Sequence, residues 1–488
     1  MEMVYQPYVD PEFESLLERI NAPRVCIDND ACQHCTIVKV DSVNRHGILL
    51  EMVQVLTDLD LVISKSYICS DGGWLMDVFH VRDQLGKKIT DETLALCIQQ
   101  ELCDTRRRGG IRKELQTCLK RKLGPYHVSM EHTAWEITGR DRPGLMSDIS
   151  AALYELGCNI TSVVAWTHNG RMACIIQVED GVKGGPITVP KRQAQVQEKL
   201  ESVVEAHHDE NGDKRSVRLT GPAAGTTHTE RRLHQLMYAD RDYEPYQGCD
   251  GSCRHRNWCD KTHVTVETCR EKRYSVVNLR SRDRNKLLFD TVCALTDMQY
   301  VVFHAAINSN GSMANQVINS KEILATVSNV VRSHVHHFQE YFIRKQDGSS
   351  LVSERERCQL TQCLIAAIER RDSSGLRVDI CSEDKMGLLR EVMRVFRENG
   401  LWIARTEIGT DGERASGCFY VRNAVGNDAS PRMVELVRQQ IGGSVMVVHK
   451  SGASSSSSST SEIDEKPRFS LGNLLWSQLQ RLASTFGH

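Results

Sequence analysis

Proline and aromatic residues are scarce in this chain, with 11 Pro and only 6% Phe, Trp and Tyr among 488 residues. That excludes a Pro-rich or collagenous chain, and 40% hydrophobic residues exclude a mainly disordered one. An excess of one charge is also missing: 61 Lys+Arg stand against 63 Asp+Glu, a formal net charge of −2. No overall field draws the chain to nucleic acid, and no direct nucleic-acid partner is expected. No apolar run approaches the roughly 18 residues of a membrane span, so no transmembrane segment is expected. The opening MEMVYQPYVDPEFESLLERI lacks the basic and then apolar build of a secretory signal. The expected location is therefore intracellular, in nucleus and/or cytoplasm.

Eighteen cysteines are present but scattered, and without a secretory signal they read as reduced, mostly buried small hydrophobes. Cys32-Gln-His-Cys35 has CxxC spacing, yet no second CxxC follows at finger distance. Cys249, Cys253, His255, Cys259 and His263 offer enough donors for zinc, but at irregular spacing in a polar connector. Both groups read as loop cysteines, and no cofactor is expected.

What the chain does contain is a repeat. Four segments align: TIVKVDSVNRHGILLEMVQVLTDLDLVI, AWEITGRDRPGLMSDISAALYELGCNI, YSVVNLRSRDRNKLLFDTVCALTDMQYVV and LRVDICSEDKMGLLREVMRVFRENGLWI. Counted from Gly47, Gly144, Lys286 and Gly387, core residues recur one, five and nine places on, as in Leu145, Ile149 and Leu153. That is one helical face, broken only by Thr291. A strand resumes at Val62-Ile63, Asn159-Ile160, Val301-Val302 and Trp402-Ile403, and Asn/Asp-Gly turns follow, such as Asn169-Gly170. With second helices at about 91–103, 191–207, 354–371 and 431–441, the unit is β-α-β-β-α plus a short final strand. The predicted fold is α+β: four tandem ferredoxin-like βαββαβ domains, antiparallel sheets with helices on one face, paired intramolecularly.

The third copy is interrupted. Deleting 23 residues after Ala314-Asn315, with Gln316 or Gln339 retained, restores its match to the fourth. Residues 317–338 thus read as extra coding sequence inside a strand, set against a functional loop carrying His334, His336 and His337.

Asp141-Arg142-Pro143-Gly144-Leu145 with Gly157-Cys158-Asn159-Ile160 resembles the ACT domain, a regulatory module that binds small ligands. Four copies with nothing else of domain size resemble the plant ACT-domain-repeat proteins, historically called uridylyltransferase-like; the runs 229–243 and 287–300 share that family's pattern. The resulting division is an N-terminal extension (1–33), ACT domains at 34–124, 131–220, 263–372 and 376–450, a connector (221–262) containing the THTERRLHQLM helix, a Ser-rich linker (451–468) and an amphipathic C-terminal helix (469–488).

The resemblance implies amino-acid binding at an interface between paired units. A Gly loop opening a helix offers backbone N–H groups and the positive dipole end to a carboxylate, and Asn159 or Asp141 can accept from an ammonium. Candidate ligand residues are Asp141, Arg142, Pro143, Gly144, Leu145, Asn159 and Ile160 in repeat two, Asn44 and Gly47 in repeat one, and Gly387 in repeat four. Repeat two, which keeps both the loop and Asn159, is the expected receptor.

The implied role is a non-catalytic amino-acid sensor acting through an unidentified protein partner. The alternatives are a ligand-free scaffold and, last, a nucleotidyltransferase: Gly251-Ser252 has no Asp-x-Asp after it. Homo-oligomerisation is left open. The basic stretch 106–122 reads as a solvated face, and the C-terminal helix as a segment docking on the repeats, a partner or a membrane surface.

Overall fold

A computed structural model describes residues 23–71, 73–103, 132–206, 216–219, 228–244, 262–309, 336–349, 351, 353–371, 376–411, 414–423, 430–441 and 444–448. The basic stretch, the Ser run, the C-terminal helix and Cys249, Cys253, His255 and Cys259 lie outside the described residues.

In chain order the first half comprises β1 (Arg24–Asp28), β2 (Thr36–Val43), α1 (Ile48–Asp58), β3 (Val62–Asp71), β4 (Trp74–Arg82), α2 (Glu92–Cys103), β5 (Thr133–Arg140), α3 (Leu145–Glu155), β6 (Cys158–His168), β7 (Arg171–Asp180), α4 (Pro190–Glu205), β8 (Ser216–Leu219) and α5 (Thr229–Ala239). The second half continues with β9 (His263–Cys269), β10 (Tyr274–Arg282), α6 (Leu287–Asp297), β11 (Tyr300–Ser309), β12 (His336–Lys345), α7 (Glu354–Glu369), β13 (Leu376–Glu383), α8 (Leu388–Glu398), β14 (Leu401–Asp411), β15 (Arg414–Asn423), α9 (Pro431–Ile441) and β16 (Ser444–Val448).

These elements form two compact units. One joins repeats one and three, the other repeats two and four. Each has an eight-stranded antiparallel sheet, ordered β1-β2-β4-β3-β11-β12-β10-β9 in the first and β16-β13-β15-β14-β6-β7-β5-β8 in the second. The joint is a strand pair, β3 with β11 and β6 with β14. Tyr67 opposes Ala306 and Val164 opposes Glu407, each the twentieth residue after its loop position, so each pair is related by a local twofold through the same point of the repeat. A register shift recurs at Ser64, Thr161, Phe303 and Ala404, again one repeat position. Bulges of this kind bend a strand and raise its twist.

The edge strands correct the simple repeat pattern. In repeats two and four the outer strand follows the second helix, as β8 and β16 do. In repeats one and three the same place is filled from in front, by β1 and β9. Arg24–Asp28, assigned from sequence to an N-terminal extension, is thus an edge strand of the first sheet.

The helical stripe becomes core. Leu145, Ile149 and Leu153 pack with Trp135, Ile137 and Ile176, and Val392 and Phe396 join the same cluster from repeat four. Thr291, the break in the pattern, is fully buried with its hydroxyl donating to Leu287 O at 2.9 Å and lying 3.2 Å from Gln339 Oε1, which accepts from the Tyr341 hydroxyl. A buried hydroxyl with partners costs little.

That Gln339 locates the insertion. β12 pairs Leu279 with Gln339, Ser281 with His337 and Arg282 with His336, the register of Ile380 with Gly417 and Glu383 with Arg414 in repeat four. Residues 336–338 therefore complete the strand. The expectation that 317–338 interrupts it is corrected: the surplus length lies between β11 and β12, at the hairpin tip, where insertions are tolerated.

Each first helix starts from a left-handed residue: Gly47, Gly144 and Gly387 at φ 81°, 81° and 85°, and Lys286 at φ 65°. Only Gly holds this conformation without strain. Lys286→Gly is expected to stabilise the first unit by about 1 kcal/mol, a rise of roughly 2–4 °C in a thermal melt. An unchanged or lower Tm would count against it. At the β6–β7 hairpin, Asn169 (φ 49°) and Gly170 (φ 73°) form the expected turn with two positive φ values.

In the second unit, α5 lies on the sheet face opposite the other helices, packing Leu233, Leu236 and Met237 on Val164, Trp166, Ala173 and Ile175. A buried ionic network fastens it. Arg370 grips Asp242 through Nε–Oδ2 (2.6 Å) and Nη2–Oδ1 (2.5 Å), and His168 Nδ1 lies 3.0 Å from Asp242 Oδ2. Arg371 pairs with Glu230 at 2.8 Å and lies over the Trp166 ring.

Candidate functional site

The local twofold of the second unit places the start of each first helix against the start of the partner's second strand, which gives two quasi-equivalent cavities. One is lined by the repeat-four loop (Asp384, Lys385, Gly387), by Leu388, and by Tyr154, Asn159 and Ile160 of repeat two. It encloses about 580 Å³, part of it open to solvent. The other is lined by the repeat-two loop (Asp141, Arg142, Gly144, Leu145) and by Arg397, Trp402 and Ile403 of repeat four, and encloses about 340 Å³.

The residues predicted for one receptor in repeat two are therefore divided. Asn159 and Ile160 face the first cavity with Gly387; Asp141, Arg142, Gly144 and Leu145 face the second. The reason is helical length. Loop and strand start flank the 11-residue α3, and at 1.5 Å per residue its two ends lie about 16 Å apart. Asn44 and Gly47 belong to the first unit, where Gly47 faces the Thr296 side chain of repeat three and the Asn44 amide donates to Gly73 O at 2.8 Å. Pro143 sits in the turn between Asp141 and α3.

The two cavities differ in what fills them. In the second, Trp402 stands where Asn159 stands in the first, and its Nε1 donates to Asp141 Oδ1 at 3.1 Å. Arg397 reaches over Gly144 and pairs with Asp148 Oδ1 at 2.7 Å, while Arg142 holds the other oxygen at 2.7 Å. The repeat-two helix start is thus covered by side chains. Burial pushes the Asp141 carboxyl up to about 7, offset by bonds from Trp402, Thr167 and the Arg142 amide and by the Arg422 charge.

In the first cavity the corresponding positions are smaller or apolar. Asn159 replaces the indole and donates through Nδ2 to Glu179 Oε1 at 2.9 Å, which leaves its Oδ1 to accept. Tyr154 takes the place of Arg397 and lies against Gly387, where an added Cβ would come within 2.6 Å of its ring. Among the described residues no side chain caps α8, and Leu388, Leu389 and Arg390 of its first turn line the cavity. Burial, with the Glu179 charge, pushes the Asp384 carboxyl above its ordinary value. The apolar walls are Ile160, Ile380, Ile408 and Phe419. The site can hold an anion at the helix start and a cation between Asn159 Oδ1 and Asp384. Sequence reasoning missed Tyr154 and Asp384, although Asp384 holds in repeat four the position that Asp141 holds in repeat two.

Of the proposed zinc donors at the connector, His263 is described and begins β9. The cluster that does assemble is Cys32, Cys35 and His80 in the first unit.

Ferredoxin-like repeats joined edge to edge about a local twofold, with uncapped helix starts at the joint, define the ACT-domain class. Residues 31–109 match the ACR family N-terminal ACT domain, and residues 136–185 match the ACT domain. The chain is 50% identical to the ACT domain-containing protein ACR1 of Arabidopsis thaliana over 99% of both chains, and 45% identical to ACR3 of the same plant over 92% of each. It belongs to the ACR family of plant ACT-domain-repeat proteins. A bifunctional uridylyltransferase/uridylyl-removing enzyme of Azospirillum brasilense is 39% identical over 80 residues, which cover 16% of this chain and 9% of that one. Among the described residues no helix is long and apolar enough to cross a membrane.

Proposed function

We propose that this chain is a non-catalytic regulatory protein that binds a free amino acid in the larger cavity of the second unit and signals through a protein partner. The observation that supports this most is the opposition of Asn159 to the uncapped start of α8. The ligand carboxylate would meet the first-turn N–H groups of α8, and its ammonium the Asn159 and Asp384 oxygens. The Ile160, Ile408 and Phe419 walls favour an apolar side chain over a charged one. Binding across two repeats gives a means of regulation, because a ligand held by both favours one arrangement of the joint.

Calorimetric titration of the full chain with the twenty amino acids tests this. One or a few are expected to bind, and Asn159→Ala is expected to weaken binding by about tenfold or more, the value of a charge-assisted hydrogen bond. Binding unchanged in Asn159→Ala would refute the assigned site. No response to any amino acid would favour the scaffold reading, which has its own support: Tyr67, Trp74 and Met76 are 41%, 37% and 63% exposed in the first unit.

A further inference from the structure

We propose that Cys32, Cys35 and His80 form a zinc site that fastens β1 and its following loop to the sheet of the first unit. Cys32 and Cys35 lie in the connection between β1 and β2, and His80 lies on β4. The Cys32 and Cys35 sulfurs are 3.3 Å apart, and Cys35 Sγ is 3.4 Å from His80 Nδ1. Bonds of about 2.3 Å to sulfur and 2.0–2.1 Å to nitrogen give a tetrahedron with edges of roughly 3.5–3.8 Å. The two short edges open by a few tenths of an ångström to seat the ion, and all three donor atoms already lie within 4.8 Å of one another. Two thiolates and one imidazole suit zinc better than harder divalent cations, and the fourth position is left to water.

The scaffold around the cluster is built. Asp28 Oδ1 accepts from the amides of Asp30 and Ala31 at 3.0 and 2.9 Å, turning the chain out of β1. Asn29 Nδ2 donates to Ile89 O, and Thr36 Oγ1 donates to Asn29 Oδ1 at 2.6 Å while accepting from the Ile89 amide. The loop is therefore held on both sides of the CxxC before any ion arrives. His80 faces away from the core side of β4, whose Phe79 and Val81 are fully buried. Arg82 and Lys88 stand near the cysteines. Two thiolates cancel the charge of Zn²⁺, so these cations do not oppose the ion.

The site explains how an edge strand supplied from in front is secured. Among the described strands β1 pairs with β2 alone, and an ion bound by its loop and by β4 ties it across one further strand.

The test is metal analysis of the full chain purified under reducing conditions and reconstituted with zinc. The expected result is about one equivalent that is absent from the Cys32→Ser/Cys35→Ser variant. His80→Ala is expected to weaken zinc at least tenfold, since even an outer partner of a metal ligand is worth that much. Cobalt reconstitution gives an independent reading, with thiolate-to-metal absorption in the wild type that changes in His80→Ala. This signal keeps the proposal testable should the double variant fold poorly. Zinc retained undiminished in the double variant, no zinc in the wild type, or a Cys32–Cys35 disulfide persisting under reduction would each overturn it.

Discussion

Asp242→Ala is expected to destabilise the second unit by about 3–5 kcal/mol, because it strands Arg370 as an uncompensated buried charge. Arg370 and Asp242 side chains are 2% and 0% exposed, and the pair makes two parallel bonds, the strongest form of the interaction. For a unit of this size the melting transition should fall by roughly 6–20 °C in calorimetry. Asp242→Ala/Arg370→Met, which removes both charges, should recover much of that loss. A fall below about 1 kcal/mol in the single variant would refute the assignment.

The same network fixes a pH window. Burial alone would raise the Asp242 carboxyl, but the Arg370 charge and the bonds from Arg370 and His168 hold it well below the usual carboxylate range. Its contribution is therefore present above the ordinary value near 4 and is lost as pH falls through the depressed one. Burial opposes charge on His168, yet Asp242 and Glu369 raise its titration above the ordinary value. That contribution is complete below about 6.5 and is lost as pH rises through the raised value. The acid limb should vanish in Asp242→Ala, and the His168 limb, which Glu369 also supports, should shrink.

Asp141→Asn is expected to act in the opposite sense, stabilising the second unit at pH 8 and leaving it unchanged at pH 4. The Asp141 carboxyl titrates near 7 in the fold against 3.8 ordinarily, chiefly through burial. Between those values the unfolded chain has already lost its proton, so stability declines as pH rises. The full linkage is about 4 kcal/mol, reduced by whatever solvent reaches this half-buried group. Asn keeps an acceptor for Trp402 Nε1. Melting curves of wild type and variant from pH 4 to 8 check this; a gap that does not vary with pH would exclude the titration.

Strands, helices and the Asn169-Gly170 turn were legible because period, turn chemistry and the four-fold recurrence are local. The edge strands were not, since Arg24–Asp28 and Ser216–Leu219 fill one place from opposite sides of their repeats. The cavity was half legible. Asn159 and Gly387 could each be chosen, but only the strand joint between repeats two and four makes them opposed. His80 was invisible to spacing rules, lying 45 residues from Cys35. The insertion misled because Gln316 and Gln339 are alternatives in sequence, whereas the buried bonds of Gln339 to Thr291 and Tyr341 belong to tertiary structure.

Because repeat one pairs with three and two with four, the ribosome delivers each half long before its mate. β3 ends at Asp71 and its neighbour β11 begins at Tyr300; at roughly 5–20 residues per second the gap lasts about 11–46 s. During that time β3 is a bare sheet edge of the kind that mispairs. The nearest edge to emerge is β6 of repeat two, the wrong mate. Its start carries Asn159 and its centre Val164, against Val62 and Tyr67 in β3. The final pairing therefore requires β3 to be free of β6 by the time β11 arrives.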